Sequence, residues 1–400
     1  MKVLLVFVTS LIIVAIILIV IFSGMISNKE EWMKVLFVFG TRPEAIKMAP
    51  VIKEIEKHKN IESLICVTGQ HRQMLDQVLK IFNIKPDFDL NIFKKGQSLT
   101  DITTQSLRGL ENILDEQKPD ILLVQGDTTT VFAAALAAFY KKIKIGHIEA
   151  GLRSGNIYSP YPEEANRKLV SVISNFNFAP TQNNKNNLLK EGYDEKNIFV
   201  TGNTVIDALK YTVKDNYKFE NDLLNNIDYK NKDVILLTSH RRENWGKPME
   251  DIFSAFSEIV NERENVEVIF PMHLNPLIRE IAHRHFDGLD RVHLIEPLSY
   301  LPFSNLINKV KFVVTDSGGV QEEAPSLGKP VLVIRNETER REGVEAGTAK
   351  LIGVKKENVY KNIIELLDNK KVYDKMSKAV NPYGDGKASI RIVEILEKNI

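Results

Sequence analysis

Val35-Leu36-Phe37-Val38-Phe39-Gly40-Thr41-Arg42-Pro43-Glu44-Ala45-Ile46-Lys47 reads as a strand, a glycine turn and the opening of an amphipathic helix. The apolar run stops at Phe39, and beyond Gly40 the spacing becomes helical. That order places backbone N–H groups, with the cations Arg42 and Lys47, on the rim of a parallel sheet. Such rims are where α/β proteins hold anions. A Gly and an Arg at this turn also serve purely structural ends, so the weight rests on further segments of the same kind downstream.

Working outward, short apolar runs alternate with helical patterns. Strands are expected at residues 35–39, 63–68, 121–125, 143–148, 176–179 and 198–201, then at 233–238, 266–271, 292–295, 312–315 and 330–334. Helices between them include 72–82, 128–140, 163–174, 249–261 and 358–367. Continuous apolar strands separated by helices mean parallel sheets covered on both faces. The fold class is therefore α/β, with two Rossmann-like doubly wound domains facing a cleft. The polar stretch 214–232, rich in Asn, Asp and Lys, reads as a surface connection between the two series. Residues 33–202 form the first domain and 203–382 the second. After Asn381-Pro382-Tyr383-Gly384-Asp385-Gly386, a last helix (388–398) crosses back, joining 383–400 to the first.

The chain has 400 residues, enough for two cores, and 53 basic against 52 acidic side chains leave a net charge of +1. No overall field recruits nucleic acid or a membrane surface, so any anion site is local. Cys66, the single cysteine, cannot form an intrachain disulfide and sits in an apolar run as a core thiol. A cytosolic-facing protein fits that usage. Residues 1–32 differ: 3–22 is an uncharged apolar run, long enough to cross a bilayer at about 1.5 Å per residue. It is too long for a signal-peptide core, and Ser23-Gly24-Met25 is a poor cleavage site. We read it as a transmembrane anchor; the alternative is that Met33 is the functional start. Lys2, Lys29 and Lys34 with Glu30 and Glu31 leave its orientation open. If it spans, a cytosolic substrate requires the C-terminal side to face the cytoplasm.

Several segments carry chemistry. In Gln125-Gly126-Asp127-Thr128-Thr129-Thr130, Asp127 meets the cleft at a strand's carboxyl end, as a general acid or base or as a helix cap. His147-Ile148-Glu149-Ala150-Gly151-Leu152-Arg153 repeats the arrangement. Tyr161-Pro162-Glu163-Glu164-Ala165-Asn166-Arg167 opens a helix with paired carboxylates, which the helix dipole alone also favours. Later, Thr238-Ser239-His240-Arg241-Arg242-Glu243-Asn244 concentrates positive charge suited to a diphosphate, or forms a solvated charge run. His273 lies at another strand end. In Thr315-Asp316-Ser317-Gly318-Gly319-Val320-Gln321-Glu322-Glu323-Ala324, two glycines let helix-start N–H groups approach phosphate, and Glu323 is placed to accept both ribose hydroxyls. That reads as a nucleoside-diphosphate seat, against a plain structural turn; Arg340 adds a cation. GxGxxG after the first strand and GxxxxGK[ST] are both missing, so neither a tightly held nicotinamide nor a P-loop nucleotide is supported. His283 and His285, two apart on a helix, face different ways and make no metal pair.

The motifs GTRPEAIKMAP, TGQHRQMLDQVL, QGDTTT, GHIEAGLRSG, YSPYPEEANR, TGNTVIDAL, SHRREN, DSGGVQEEAPSLGKPVLV and NPYGDG span nearly all of the chain from Met33 onward. Through them it resembles the bacterial non-hydrolysing UDP-N-acetylglucosamine 2-epimerases, relatives in fold of GT-B glycosyltransferases. The resemblance implies conversion of UDP-N-acetylglucosamine to UDP-N-acetylmannosamine for surface polysaccharides, through UDP elimination, 2-acetamidoglucal and re-addition, with no cofactor and no metal. It implies Asp127, Glu149 and Glu163 in proton transfer or sugar positioning, and Arg42, Lys47 and His240 in catalysis near the diphosphate. Ser317, Gly318, Gly319, Glu323 and Arg340 would hold UDP, with Phe303 near the uracil and Arg42 and His240 shared. It further implies a homodimer and an activating second UDP-N-acetylglucosamine at Gln70, Gln73, Arg241 and His273. Gly96 stands where some members place an Arg of that site, and Arg341 where relatives often have Pro. A hydrolysing epimerase, a GT-B glycosyltransferase and a membrane-tethered UDP-sugar sensor without turnover are the competing readings.

Overall fold

The computed structural model describes residues 32–400 and contains two parallel sheets. The first comprises β1 (Met33–Phe39), β2 (Ile61–Val67), β3 (Phe88–Asp89), β4 (Ile121–Gln125), β5 (Lys144–Ile148), β6 (Phe176–Ala179) and β7 (Ile198–Val200), in the order β3-β2-β1-β4-β5-β6-β7. The second comprises β8 (Asp233–Thr238), β9 (Val266–Pro271), β10 (Val292–Ile295), β11 (Phe312–Thr315), β12 (Val331–Val333) and β13 (Ala349–Leu351), in the order β10-β9-β8-β11-β12-β13. Strand order reverses between β1 and β4 in one lobe and between β8 and β11 in the other. Ligands of doubly wound sheets bind outside those reversal points.

Both faces of each sheet are covered, which is why the strands read as unbroken apolar runs. Val35, Phe37 and Phe39 of β1 enter one core, while Leu36 and Val38 enter the core on the opposite face. In β8, Ile235 and Leu237 face one side and Val234 and Leu236 the other. The turn after β1 demands glycine: a Cβ at Gly40 would lie 2.1 Å from Thr68 Oγ1. Helix Arg42–Ile55 then starts at Thr41 in a capping box, the Glu44 carboxylate accepting the amides of Gly40 (2.6 Å) and Thr41 (3.0 Å).

The C-terminal helix Ala388–Asn399 returns to the first lobe, as expected, burying Ile392, Val393 and Leu396 in its core. Its start is held by Asp207, whose carboxylate accepts the amides of Ala388 (3.1 Å) and Ser389 (2.9 Å). Helix Thr204–Thr212, which carries Asp207, buries Val205, Ile206 and Ala208 in the same core.

Three findings depart from the sequence reading. The stretch 214–232 is no mere surface connection, because Phe219 and Leu224 are buried against Val234 and Leu236 of the second lobe. β3 and β13 were not expected; each is a short edge strand at the end of its sheet. Cys66 is buried as expected, and burial pushes its thiol up to about 12. The apolar span at 3–22 lies outside the described residues. Among those described, no helix is long and apolar enough to cross a membrane.

Candidate active site

The loops after β1, β4 and β5 present the first lobe's polar groups. Lys47, one turn into its helix, places Nζ 2.6 and 2.7 Å from the two oxygens of Glu149, just past β5. Glu149 has a left-handed backbone (φ 69°) and also accepts from Gln125 at the end of β4. Burial alone would neutralise both partners. Lys47's charge and hydrogen bonds outweigh it and hold Glu149 below its ordinary value, while Glu149 raises Lys47. The pair is an ion pair, with the carboxylate ionised.

Asp127 sits one residue beyond the turn at Gly126. Arg167 reaches it with Nε (2.8 Å) and Nη2 (2.7 Å), and Asn166 donates to its carbonyl at 2.8 Å. Arg167 Nη1 also meets Glu164 at 2.9 Å, and Glu164 accepts the Ser154 amide at 3.0 Å, which fixes the loop after β5. Glu163, first residue of helix Glu163–Ile173, has Oε2 buried with no hydrogen-bond partner. A buried carboxylate oxygen without a donor is costly and marks a place for a ligand hydroxyl or proton. His147 donates through Nε2 to the Gly126 carbonyl at 2.7 Å, and burial pushes it down to about 4, so it is neutral.

The second lobe answers with cations and N–H groups. Asp316, at the end of β11, accepts the amides of His240 (2.8 Å) and Arg241 (2.9 Å) and the Asn244 side chain (3.1 Å). His240 Nδ1 lies 3.1 Å from Asp316 Oδ1. Burial would push Asp316 up, but His240 and these amides hold it below its ordinary value. The His240 ring stacks on His273 with centroids 6.0 Å apart. A cavity of about 290 Å³ opens beside them, lined by Arg42, Ser239, His240, His273, Phe303 and Ser317. Arg42 comes from the first lobe, so this cavity joins the two reversal points. Most of its remaining wall, including Pro271, Leu298 and Val320, is apolar and suits the flat face of a base.

Ser317 stands at the N-cap position of helix Gly318–Ser326, with no capping hydrogen bond from its hydroxyl. A Cβ at Gly318 would stand 3.2 Å from Glu339 Oε1 and 3.6 Å from Arg340 Cζ, so the glycine lets Arg340 lie close over the helix start. Arg340 Nε pairs with Glu322 at 2.6 Å. Burial pushes Glu339 up, yet Arg340 and Arg335 win and hold it at about 2. Burial and the adjacent Glu322 push Glu323 up to about 8.

Of the expected residues, Arg42, His240, His273, Phe303 and Ser317 line one cavity. Lys47, Glu149 and Arg340 meet in a buried ionic chain that runs through Asn203 and Glu322. Arg241 is engaged with the Asp316 carbonyl (2.9 Å) and Glu339 (3.2 Å). Gln70 accepts from Thr130 at 2.8 Å and Gln73 is exposed on its helix, both on the first lobe. Gly96 has a left-handed backbone (φ 78°), which a side chain adopts only with strain. His283 pairs with Asp287 and His285 with Glu250, both on the outside of the second lobe. Sequence reasoning missed Glu44, Arg167, Asn203, Asp316 and Glu322. The Thr41-x-x-Glu44 box and the Glu164-x-x-Arg167 spacing were the available signals for two of the motifs.

A family model described as UDP-N-acetylglucosamine 2-epimerase matches residues 53–397. The UDP-N-acetylglucosamine 2-epimerase of Bacillus subtilis is 58% identical over 365 residues, covering 91% of this chain and 95% of that protein. That of Escherichia coli K12 is 50% identical over 372 residues, covering 92% of this chain and 99% of that protein. The crystal structure of UDP-GlcNAc 2-epimerase from Neisseria meningitidis bound to UDP-GlcNAc superposes with a TM-score of 0.80 at 51% identity, covering 92% of this chain and all of that one. With polar groups of both lobes lining one cavity, and relatives aligned along nearly their whole length, this chain belongs to the UDP-N-acetylglucosamine 2-epimerase family.

Proposed function

We propose that this protein interconverts UDP-N-acetylglucosamine and UDP-N-acetylmannosamine without releasing free sugar. Carbon 2 gives its proton to a carboxylate as the bond from carbon 1 to the diphosphate oxygen breaks. UDP departs with that electron pair and leaves 2-acetamidoglucal. A proton then returns to the opposite face of carbon 2 and UDP adds back to carbon 1. No electrons are gained or lost overall, so the protein must supply only bases, acids and charge stabilisation.

The observation that carries this reading is the continuous chain from Lys47 and Glu149 through Asn203 to Glu322 and Arg340. It ties the proton-handling groups of one lobe to the leaving-group cations of the other. In the proposed site Asp127, Glu149 and Glu163 share proton transfer and sugar positioning. Arg42, Lys47, His240 and Arg340 offset the charge growing on the diphosphate. Ser317 and the amides of Gly318 and Gly319 seat it, Glu323 takes the ribose and Phe303 flanks the uracil. Burial of the orphaned Glu163 oxygen supports its place near the sugar. Gln70, Gln73, Arg241 and His273 are the proposed activator contacts. Exposed Phe139, Tyr140, Leu169 and Val172, on two helices packed together, support a homodimer. The same reading places the catalytic lobes in the cytoplasm.

Product analysis tests it. UDP-N-acetylglucosamine incubated with the protein should yield UDP-N-acetylmannosamine up to a constant ratio, with no build-up of free sugar. Stoichiometric N-acetylmannosamine and UDP would instead establish hydrolysis. Turnover only in the presence of a sugar acceptor would establish glycosyl transfer, and binding without turnover a sensor. Asp127→Asn should abolish conversion and spare UDP binding; unchanged conversion removes Asp127 from the proton path.

A further inference from the structure

Two segments meet where the lobes join, Thr201-Gly202-Asn203 and Asn381-Pro382-Tyr383-Gly384. Asn203 N donates to the Tyr383 carbonyl at 2.7 Å. Asn203 Oδ1 accepts the Val205 amide at 3.1 Å and so caps helix Thr204–Thr212. Its Nδ2 donates to Glu322 Oε2 at 2.9 Å and lies 3.5 Å from Glu149 Oε1. Gly202 and Gly384 both have positive φ (92° and 141°), and a Cβ on Gly202 would stand 3.4 Å from Gly384 Cα. Backbones this close leave little slack at the joint.

Among the described residues, Asn203 alone donates to both Glu149 and Glu322, one carboxylate from each lobe. Each carboxylate has its own cation, Lys47 on Glu149 at 2.6 Å and Arg340 on Glu322 at 2.6 Å. The capped helix buries Val205, Ile206 and Ala208 in the first lobe's core, and its far end is tied to the second lobe where the Thr212 carbonyl accepts from Asn305 at 2.8 Å, so Asn203 sits at the joint, whereas Glu322 belongs to the helix of the nucleotide seat. A rotation at this joint that parts Asn203 from Glu322 changes what holds Glu149.

We propose that Asn203 is a positioning residue, whose amide donor couples the setting of the two lobes to the placement of Glu149 beside the sugar. The inference rests on the epimerase reading above. Its capping oxygen serves the fold; its NH₂ serves turnover. Besides Lys47 and Arg340, the charged or titratable groups facing this cluster are Arg167 and His147 toward Glu149, Tyr383 and Glu323 toward Glu322, and Glu339 toward Arg340.

Two variants of the full chain separate these roles. Asn203→Ser and Asn203→Asp both cap a helix about as well as Asn. Asn203→Ser should keep a thermal midpoint within about 2 °C of wild type, yet lose roughly tenfold in kcat with KM nearly unchanged. Asn203→Asp sets a third carboxylate against Glu322 and Glu149. Its kcat should fall roughly 100-fold at about pH 8 and recover partly at about pH 6, where the cluster takes up a proton. Wild-type kcat in Asn203→Ser, with a wild-type pH profile in Asn203→Asp, would make Asn203 a cap only and overturn the inference while the epimerase reading stands. If wild-type protein itself forms no UDP-N-acetylmannosamine, both fall together.

Discussion

Replacing Glu323 with Gln removes a carboxyl that burial and Glu322 push up to about 8 from an ordinary 4.5, and the consequence can be counted in protons. A group titrating near 8 holds about 0.9 proton at pH 7, about 0.5 at pH 8 and about 0.1 at pH 9. Two ribose hydroxyls donate best to an ionised acceptor. UDP binding should therefore release about 0.9 proton at pH 7, and affinity should rise about tenfold between pH 7 and pH 9 before levelling. The sign for folding is opposite. Because the folded-state value lies above the unfolded one, Glu323's contribution to stability is full below about 4.5 and is lost as pH rises through about 8. Titration calorimetry at one pH in buffers of different ionisation enthalpy gives the proton number directly. Glu323→Gln should bind UDP with almost no Glu-linked release and a flat affinity from pH 7 to pH 9. A wild-type release below about 0.2 proton at pH 7, or an identical release in the variant, would refute the assignment of Glu323 to the ribose.

Three further outcomes follow from the geometry. The Lys47 and Glu149 side chains are only 17% and 11% exposed. Glu149→Gln or Lys47→Met alone should each cost about 3 kcal/mol in urea denaturation, and the double variant distinctly less than their sum. Additivity within about 0.5 kcal/mol would contradict the ion pair. Gly318→Ala drives a methyl against Glu339 and Arg340, and should weaken UDP binding roughly tenfold with the circular dichroism spectrum unchanged; full affinity would contradict an anion seat there. Asp316→Asn turns an acceptor of several donors partly into a donor, and should cost about 3 kcal/mol at neutral pH. That gap is full above the unfolded carboxylate value of about 3.8 and closes as pH falls below it, since the native carboxyl is held low. A gap that persists in acid would contradict the role of the ionised form.

The sheets were legible where a strand is a closed apolar run. Ile121–Gln125 ends at Gly126 and Asp233–Thr238 rises out of a polar stretch, so both boundaries are visible in the chain. β3 was not, because Phe88–Asp89 is two residues whose pairing is supplied by Cys66 and Val67. β13 was not, because Lys350 interrupts it and its edge position asks for no apolar run. In the site, Ser317, Gly318 and Gly319 announce themselves as a local turn. Asn203 does not, since its partner Glu322 lies 119 residues away and nothing local requires an amide there. Glu322 and Glu323 are adjacent and identical in kind; only the helix direction sets one on Asn203 and Arg340 and leaves the other beside Gly319. The buried interior of Lys47–Glu149 was likewise invisible, because burial is a property of the assembled lobes.

In the proposed reaction, carboxylates of the first lobe act on carbon 2 of a sugar whose UDP is held by the second. Incubating UDP-N-acetylglucosamine with the protein in deuterated water and following the carbon 2 proton by NMR tests it most directly. That signal should be lost in both epimers as solvent deuterium enters, readily with the native chain and not at all with Asp127→Asn. A carbon 2 proton retained in UDP-N-acetylmannosamine formed by folded, active protein would contradict it.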